Sequence, residues 1–105
     1  MITPEPGVVK VSRDGVVLAE SSRATVLREG SLPPRYYIPP DDIRMDLLTP
    51  AGTTSHCPFK GDATYWSVDG TPDVAWSYPT PIEGAEPIAG LIAFYNEKVD
   101  VVVEP

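Results

Sequence analysis

Proline and glycine together make up a fifth of this 105-residue chain, thirteen of one and eight of the other. Proline removes a backbone donor and fixes φ, so breakers at this density exclude long helices and cut the chain into short extended pieces. Pro33-Pro34 and Pro39-Pro40 bracket Arg35-Tyr36-Tyr37-Ile38, Pro58 and Gly61 enclose Phe59-Lys60, and Pro79 and Pro81 end the run through Trp76 and Tyr78. The breakers thus border the segments that carry aromatic residues, an arrangement suited to fixing the rim of a cleft. Hydrophobic residues still make up 42% of the chain, enough for one modest core at this length. The expectation is a mainly β fold, a single domain over residues 1–105 with residues 1–6 as a flexible lead.

The strands can be placed from local pattern. Val8-Val9-Lys10-Val11 and Val16-Val17-Leu18-Ala19 flank Asp14-Gly15, which supplies the positive φ angles of a tight hairpin turn. Ala24 to Arg28 is a third strand and Arg35 to Ile38 a fourth. Pro39-Pro40 followed by Asp41-Asp42-Ile43 suits a single helical turn, with proline at its entry and acids in its first turn. The alternation of Arg44 to Leu47 predicts a strand reaching Leu48 or Thr49 and broken at Pro50-Ala51-Gly52. Ala63 to Val68 and Val74 to Tyr78 flank Asp69-Gly70-Thr71-Pro72-Asp73 as a five-residue hairpin loop. With Val68 opposite Val74, Trp66 would face Trp76 and Thr64 would face Tyr78 on one side of the sheet. Glu83 to Leu91 has room for one short helical turn. Ile92 to Tyr95 and Val99 to Val103, joined by Asn96-Glu97-Lys98, would close the fold as a hairpin.

Charge narrows the function. The net charge is −7, and it arises beyond residue 44, where nine acids stand against Lys60 and Lys98 alone. Such a surface repels a phosphate backbone, so nucleic acid is not an expected partner. A lone cysteine, Cys57, forms no intrachain disulfide and builds no multi-cysteine zinc site, so neither metal nor cofactor is expected, and a reducing compartment fits. No apolar run approaches a membrane span, and the first residues have neither a basic nor an apolar leader region. The reading is a cytoplasmic protein without a membrane partner; the sequence leaves its oligomeric state open.

All nine aromatic residues fall between Tyr36 and Tyr95, with His56, Cys57 and Lys60 in the same stretch and Arg35 immediately before it. His56 and Cys57 form no nucleophilic pair by adjacency, because neighbours in an extended segment point to opposite faces and Pro58 favours extension at Cys57. Lys60, alone among cations between Arg44 and Lys98, either binds an anionic or carbonyl group or pairs with Asp62 or another acid. Trp66, Trp76 and Tyr78 either pack the core or wall a pocket for a flat ligand. Tyr36 and Tyr37 point to opposite sides of their strand, so only one of them joins any given face.

Leu32-Pro33-Pro34-Arg35-Tyr36-Tyr37-Ile38-Pro39, Asp42-Ile43-Arg44-Met45, His56-Cys57-Pro58-Phe59-Lys60-Gly61 with Ala63, Tyr65 and Trp66, Ala75-Trp76-Ser77-Tyr78, Ile88-Ala89-Gly90 and Ala93-Phe94-Tyr95 occur in this order. Together they resemble the small bacterial and fungal domains catalogued as domain of unknown function 427. The resemblance implies a β-tent-like fold: two antiparallel sheets pinned at one edge, with one or two short helical turns. Tent-shaped domains include the thalidomide-binding domain of cereblon, whose aromatic cage holds cyclic imides. Here Trp66, Trp76 and one of Tyr36, Tyr65 or Tyr78 are the residues for such a cage. The four zinc-binding cysteines of that group are missing, which leaves packing near Cys57 and Phe59 to pin the sheets. The nucleotidyltransferase label that the family carries fits poorly: Gly30-Ser31 is present, but Asp41 and Asp42 are adjacent where a magnesium pair needs alternate carboxylates.

The resulting expectation is a binding module that holds a small flat, nucleobase-like or cyclic imide-like molecule between Trp66, Trp76 and tyrosines. Lys60, His56 or Arg35 would fix the ligand's polar end. The alternatives are a small enzyme with His56 as acid or base beside Lys60, and a domain that binds a peptide in the same cleft.

Overall fold

The computed structural model describes residues 1–58 and 60–105. It is mainly β, with ten strands in two antiparallel sheets and isolated 3₁₀ turns at Pro40–Asp42, Met45–Leu47 and Glu86–Ile88. The strands are β1 (Ile2–Pro4), β2 (Val8–Arg13), β3 (Val16–Ser21), β4 (Thr25–Leu27), β5 (Arg35–Ile38), β6 (Leu48–Cys57), β7 (Gly61–Val68), β8 (Thr71–Ser77), β9 (Ile92–Phe94) and β10 (Asp100–Glu104). The large sheet has the order β1-β4-β5-β9-β8-β7-β6 and the small one β10-β2-β3. No described helix is long and apolar enough to cross a membrane.

The strands at the middle of the large sheet are apolar on both sides, so both sides are covered. On the inner face, Ile38, Val74, Ala75, Ile92 and Phe94 meet Val9, Val11, Leu18 and Ala19 of the small sheet. Ile38, Val74 and Val9 are fully buried there, each contributing on the order of 1.5–3 kcal/mol by leaving water. On the outer face, Tyr37, Ala63, Trp76, Tyr78 and Ala93 pack under Ala85 and Ile88 of the segment that joins β8 to β9. A second tie links the layers: Arg44 donates its backbone N–H to Leu18 O at 2.8 Å, beside a bridge between Ala19 and Ile43.

The β2–β3 hairpin turns at Asp14-Gly15, with φ of 52° and 81°, as its sequence predicts. Four expectations are corrected. Residues 1–6, expected to be flexible, contain β1, which pairs with β4 from Ile2 opposite Leu27 to Pro4 opposite Thr25. Met45–Leu47 is a 3₁₀ turn and not a strand, and β6 continues through Pro50-Ala51-Gly52. It can do so because it is the sheet's edge strand, where a missing proline donor costs no ladder bond; a register shift lies between Pro50 and Thr54. β9 and β10 form no hairpin: β9 already has β5 and β8 on its two edges, so the chain crosses after Tyr95 and β10 joins β2 in the small sheet.

The fourth correction decides where the aromatic side chains point. The β7–β8 loop is only Asp69-Gly70, with φ of 49° and 80°, and Val68 therefore faces Thr71. A bulge at Pro72-Asp73, with Asp73 at φ 52°, then shifts the register, so that Trp66 faces Ala75 and Tyr65 faces Trp76. A one-residue difference in register exchanges the two faces of a strand. The two tryptophans consequently lie on opposite sides of the sheet. Packing near Cys57 does not pin the sheets either, since Cys57 belongs to the outer-face cluster; Phe59 lies outside the described residues.

Gly61 sits at φ 115°, and a Cβ there would lie 3.2 Å from both Pro81 Cα and Thr80 O. This close approach, with Ile82 N–H donating to Lys60 O at 2.9 Å, fastens the 79–91 segment over the outer face. Gly61→Ala is expected to cost about 1–3 kcal/mol in urea unfolding, and amide exchange should show early opening confined to residues 79–91.

Candidate functional site

The outer face gathers one row of side chains across four strands. Tyr37 of β5 stands opposite Ala93 of β9, Ala93 opposite Trp76 of β8, and Trp76 opposite Tyr65 of β7. Alanine at the middle leaves room above it for its large neighbours to touch. The Tyr37 and Trp76 rings meet edge to face with centroids 6.0 Å apart, and Trp76 Nε1 donates to the Tyr37 hydroxyl oxygen at 3.2 Å. Tyr95, just beyond β9, stacks on Trp76 with centroids at 4.3 Å and planes tilted by 39°.

Arg35, two residues before Tyr37 and therefore on the same side of β5, lays its guanidinium over these rings. It lies 5.5 Å from the Trp76 centroid and 5.4 Å from that of Tyr95. Its side chain is 22% exposed, and its donors reach Glu97 Oε1 at 2.8 Å and Asn96 Oδ1 at 3.2 Å, both in the turn after Tyr95. That guanidinium holds the Glu97 carboxyl below the usual glutamate range. Farther along the row, the Ser55 and Tyr65 hydroxyls share a 2.5 Å hydrogen bond. Tyr65, Tyr95 and Arg35 are half-buried, whereas Trp76 is 6% exposed.

The residues predicted for the cage are divided by the sheet. Trp76, Tyr78, Tyr65 and Arg35 belong to the outer face, while Trp66 and Tyr36 pack against the core between the sheets. A cage combining Trp66 with Trp76 is therefore not formed. Lys60 pairs with Glu29, not Asp62, at 3.0 and 3.1 Å to its two oxygens, with its side chain 15% exposed beside a cleft of about 410 Å³. His56 is exposed, its Nδ1 2.8 Å from Asp62, so His56 and Lys60 are held by different carboxylates. Cys57 lies in the outer-face cluster while the His56 side chain stands in solvent. Asp42 accepts bonds from Arg23 and, at 2.6 Å, from Ser21, and these donors, Arg23 foremost, hold its carboxyl below the usual range; Asp41 is exposed.

Tyr37, Tyr95, Ser55 and Glu97 were missed by sequence reasoning. Strand alternation carried a signal for Tyr37, which shares a side with Arg35. Tyr95 and Glu97 became visible only when β9 was placed between β5 and β8.

Burial raises the Tyr37 phenol to about 12 and pushes those of Tyr78 and Tyr95 upward as well. A folded-state pKa above the unfolded value near 10 means ionisation favours unfolding. The stability these phenols contribute is complete below about pH 10 and is lost as pH rises towards 12. Tyrosinate absorbance should thus show a late step coincident with loss of the tertiary circular-dichroism signal. Tyr37→Phe should reduce that step and, by leaving the Trp76 N–H without its acceptor, cost about 1–3 kcal/mol.

A family model described as Domain of unknown function (DUF427) matches residues 1–105. No curated protein matches the chain.

Proposed function

The chain belongs to the DUF427 family, whose description states no activity, and on the site's geometry we propose that it is a binding module for a small flat molecule held on the outer face of the large sheet. The ligand's ring lies against Tyr65, Tyr95 and the guanidinium plane of Arg35. A carbonyl or carboxylate on that ring takes the donors of Arg35, and the Ser55 and Tyr65 hydroxyls offer a second polar anchor.

One observation carries this reading: Arg35 is oriented by the rings beneath it, while its outer donors are bonded to an exposed turn. The cation–π contacts with both rings hold the guanidinium in place when Glu97 moves away. Glu97 itself is 58% exposed, and an ion pair of that kind contributes only about 0–1 kcal/mol. Exchanging Glu97 for a ligand oxygen is therefore inexpensive, and the cation needs no reorganisation to receive it. The free thiol of Cys57 suits a reducing compartment, so the ligand is sought among cytoplasmic metabolites.

Thermal shift with a panel of nucleosides, cyclic imides and aromatic acids tests this. A specific ligand at a hundred times its Kd should add about 2.7 kcal/mol. Arg35→Ala should abolish the shift, Glu97→Gln should tighten binding of a carboxylate, and Trp66→Ala, on the opposite side of the sheet, should leave affinity unchanged. Absence of any shift across the panel, or equal loss in Trp66→Ala and Arg35→Ala, would defeat the reading.

A further inference from the structure

A separate cleft of about 320 Å³ opens between the two sheets, at the end where two hairpins turn. Its apolar lining comes from Val16 and Leu18 of β3, Leu47 of the second 3₁₀ turn and Val68 of β7. Val16 is 49% exposed, so apolar surface remains uncovered beside the opening. The size is at the lower end of the range of small-molecule sites, about 300–1,000 Å³.

Three carboxylates belong to the lining. Asp14 and Asp69 are the leading residues of the two Asp-Gly turns, one from each sheet, and both hold the left-handed backbone that the turn requires. Asp46 is the third, its two oxygens bonded to Arg44. Arg13, the basic residue of the lining, donates to Thr71 Oγ1 at 2.7 Å and lies 3.5 Å from Asp14. Asp69 has no ion-pair partner among the described residues. The excess of carboxylates at the mouth has the sign of the whole molecule, whose net charge is −7.

We propose that this cleft is a second binding site, for a protonated primary amine carried on a small apolar body. The apolar part covers Val16 and Leu47 against the floor formed by Leu18 and Val68. The ammonium sits at the mouth, where Asp69 accepts its hydrogen bonds and Asp14 adds attraction. Tight-turn chemistry alone accounts for aspartate at each position; the two turns meeting over one apolar opening is what gives those charges a common object. An anionic ligand would meet the same carboxylates as repulsion, so the site discriminates by sign as well as by shape.

Phenethylamine, phenethyl alcohol and 3-phenylpropionate share one apolar body and differ in the charge at its end. Titrated into the labelled protein and followed by amide chemical shifts, phenethylamine should perturb residues 14–18, 45–48 and 68–70. The alcohol should perturb the same residues about tenfold more weakly and the acid should leave them unperturbed. Asp69→Asn keeps a residue that tolerates the left-handed turn, so the fold is retained. In that variant the affinity for the amine should fall about tenfold and that for the alcohol should not change. Raised salt should weaken the amine alone. Equal binding of amine and alcohol in this cleft, amine shifts that map elsewhere, no saturable amine shifts, or an amine affinity indifferent to Asp69→Asn would each overturn the proposal. Arg35 and Tyr95 do not line this cleft, so an acid that shifts only residues around them reports on the outer-face site and leaves this proposal standing.

Discussion

The central strands β8 and β9 are buried on both sides, and most of the architecture follows from having to cover them. Every residue of β9 is buried, Ile92 and Phe94 toward one side and Ala93 toward the other. β8 divides its load in the same way, with Val74 and Ala75 inward and Trp76 outward. A single layer of sheet cannot satisfy such strands. The three-stranded sheet closes one side with valines and leucine from a hairpin that folds locally. The other side is closed by a segment too rich in proline and glycine to form a third layer of regular structure, which is instead held by the close approach at Gly61 and a bridge between Tyr78 and Ala89. Its apolar residues roof only part of the face, and at the uncovered end lie Arg35, Tyr65 and Tyr95.

That uncovered end is polar because its aromatic rings are, not because charge was placed there at random. Trp76 finds its acceptor in Tyr37 and its cover in Tyr95, and the guanidinium of Arg35 caps both rings. Each member needs another: the indole N–H needs the phenol, the guanidinium needs the ring faces, and Glu97 is drawn down by the guanidinium. The small Ala93 between Tyr37 and Trp76 permits the contact at all. A bulkier residue there would separate the rings and leave the indole nitrogen buried without a partner, a cost of about 1–3 kcal/mol.

How much of this could be read from the residues depended on how local the deciding interaction was. The β2–β3 hairpin, β5 and the turn at Pro40 follow from neighbours a few positions apart, and they stand where alternation and breakers put them. Pro50 misled because a proline is a strand breaker only inside a sheet, and whether β6 lies at an edge is a property of the whole topology. At Asp69-Gly70-Thr71-Pro72-Asp73 both the five-residue loop and the two-residue turn with a bulge are compatible with the composition. Asp-Gly favours the short turn, Pro72-Asp73 absorbs the displaced register, and the choice transfers Trp66 from one face to the other. The partition of β9 and β10 between two sheets was hidden for a similar reason, since the competitor that excluded a hairpin was β5, more than fifty residues away along the chain. The candidate site inherited these errors: Trp76, Tyr65, Tyr78 and Arg35 were found, and Tyr37 and Tyr95, which bind them into one cluster, were not.

The same distribution of contacts sets an order of assembly. β2 with β3, and β6 with β7 and β8, are consecutive hairpins that close short loops, whereas β5 with β9 and β2 with β10 join distant parts of the chain. Distant pairings bear their loop-closure entropy before any contact repays it, which places a topology of this kind among domains that fold on the order of milliseconds to seconds. β9 is the strand inserted between β5 and β8, so until it docks the two halves of the large sheet are separate and each presents an open edge. The strand that brings Tyr95 to Trp76 is thus the one whose arrival removes both edges from reach of other chains, and the recognition surface and protection against aggregation are completed in one step.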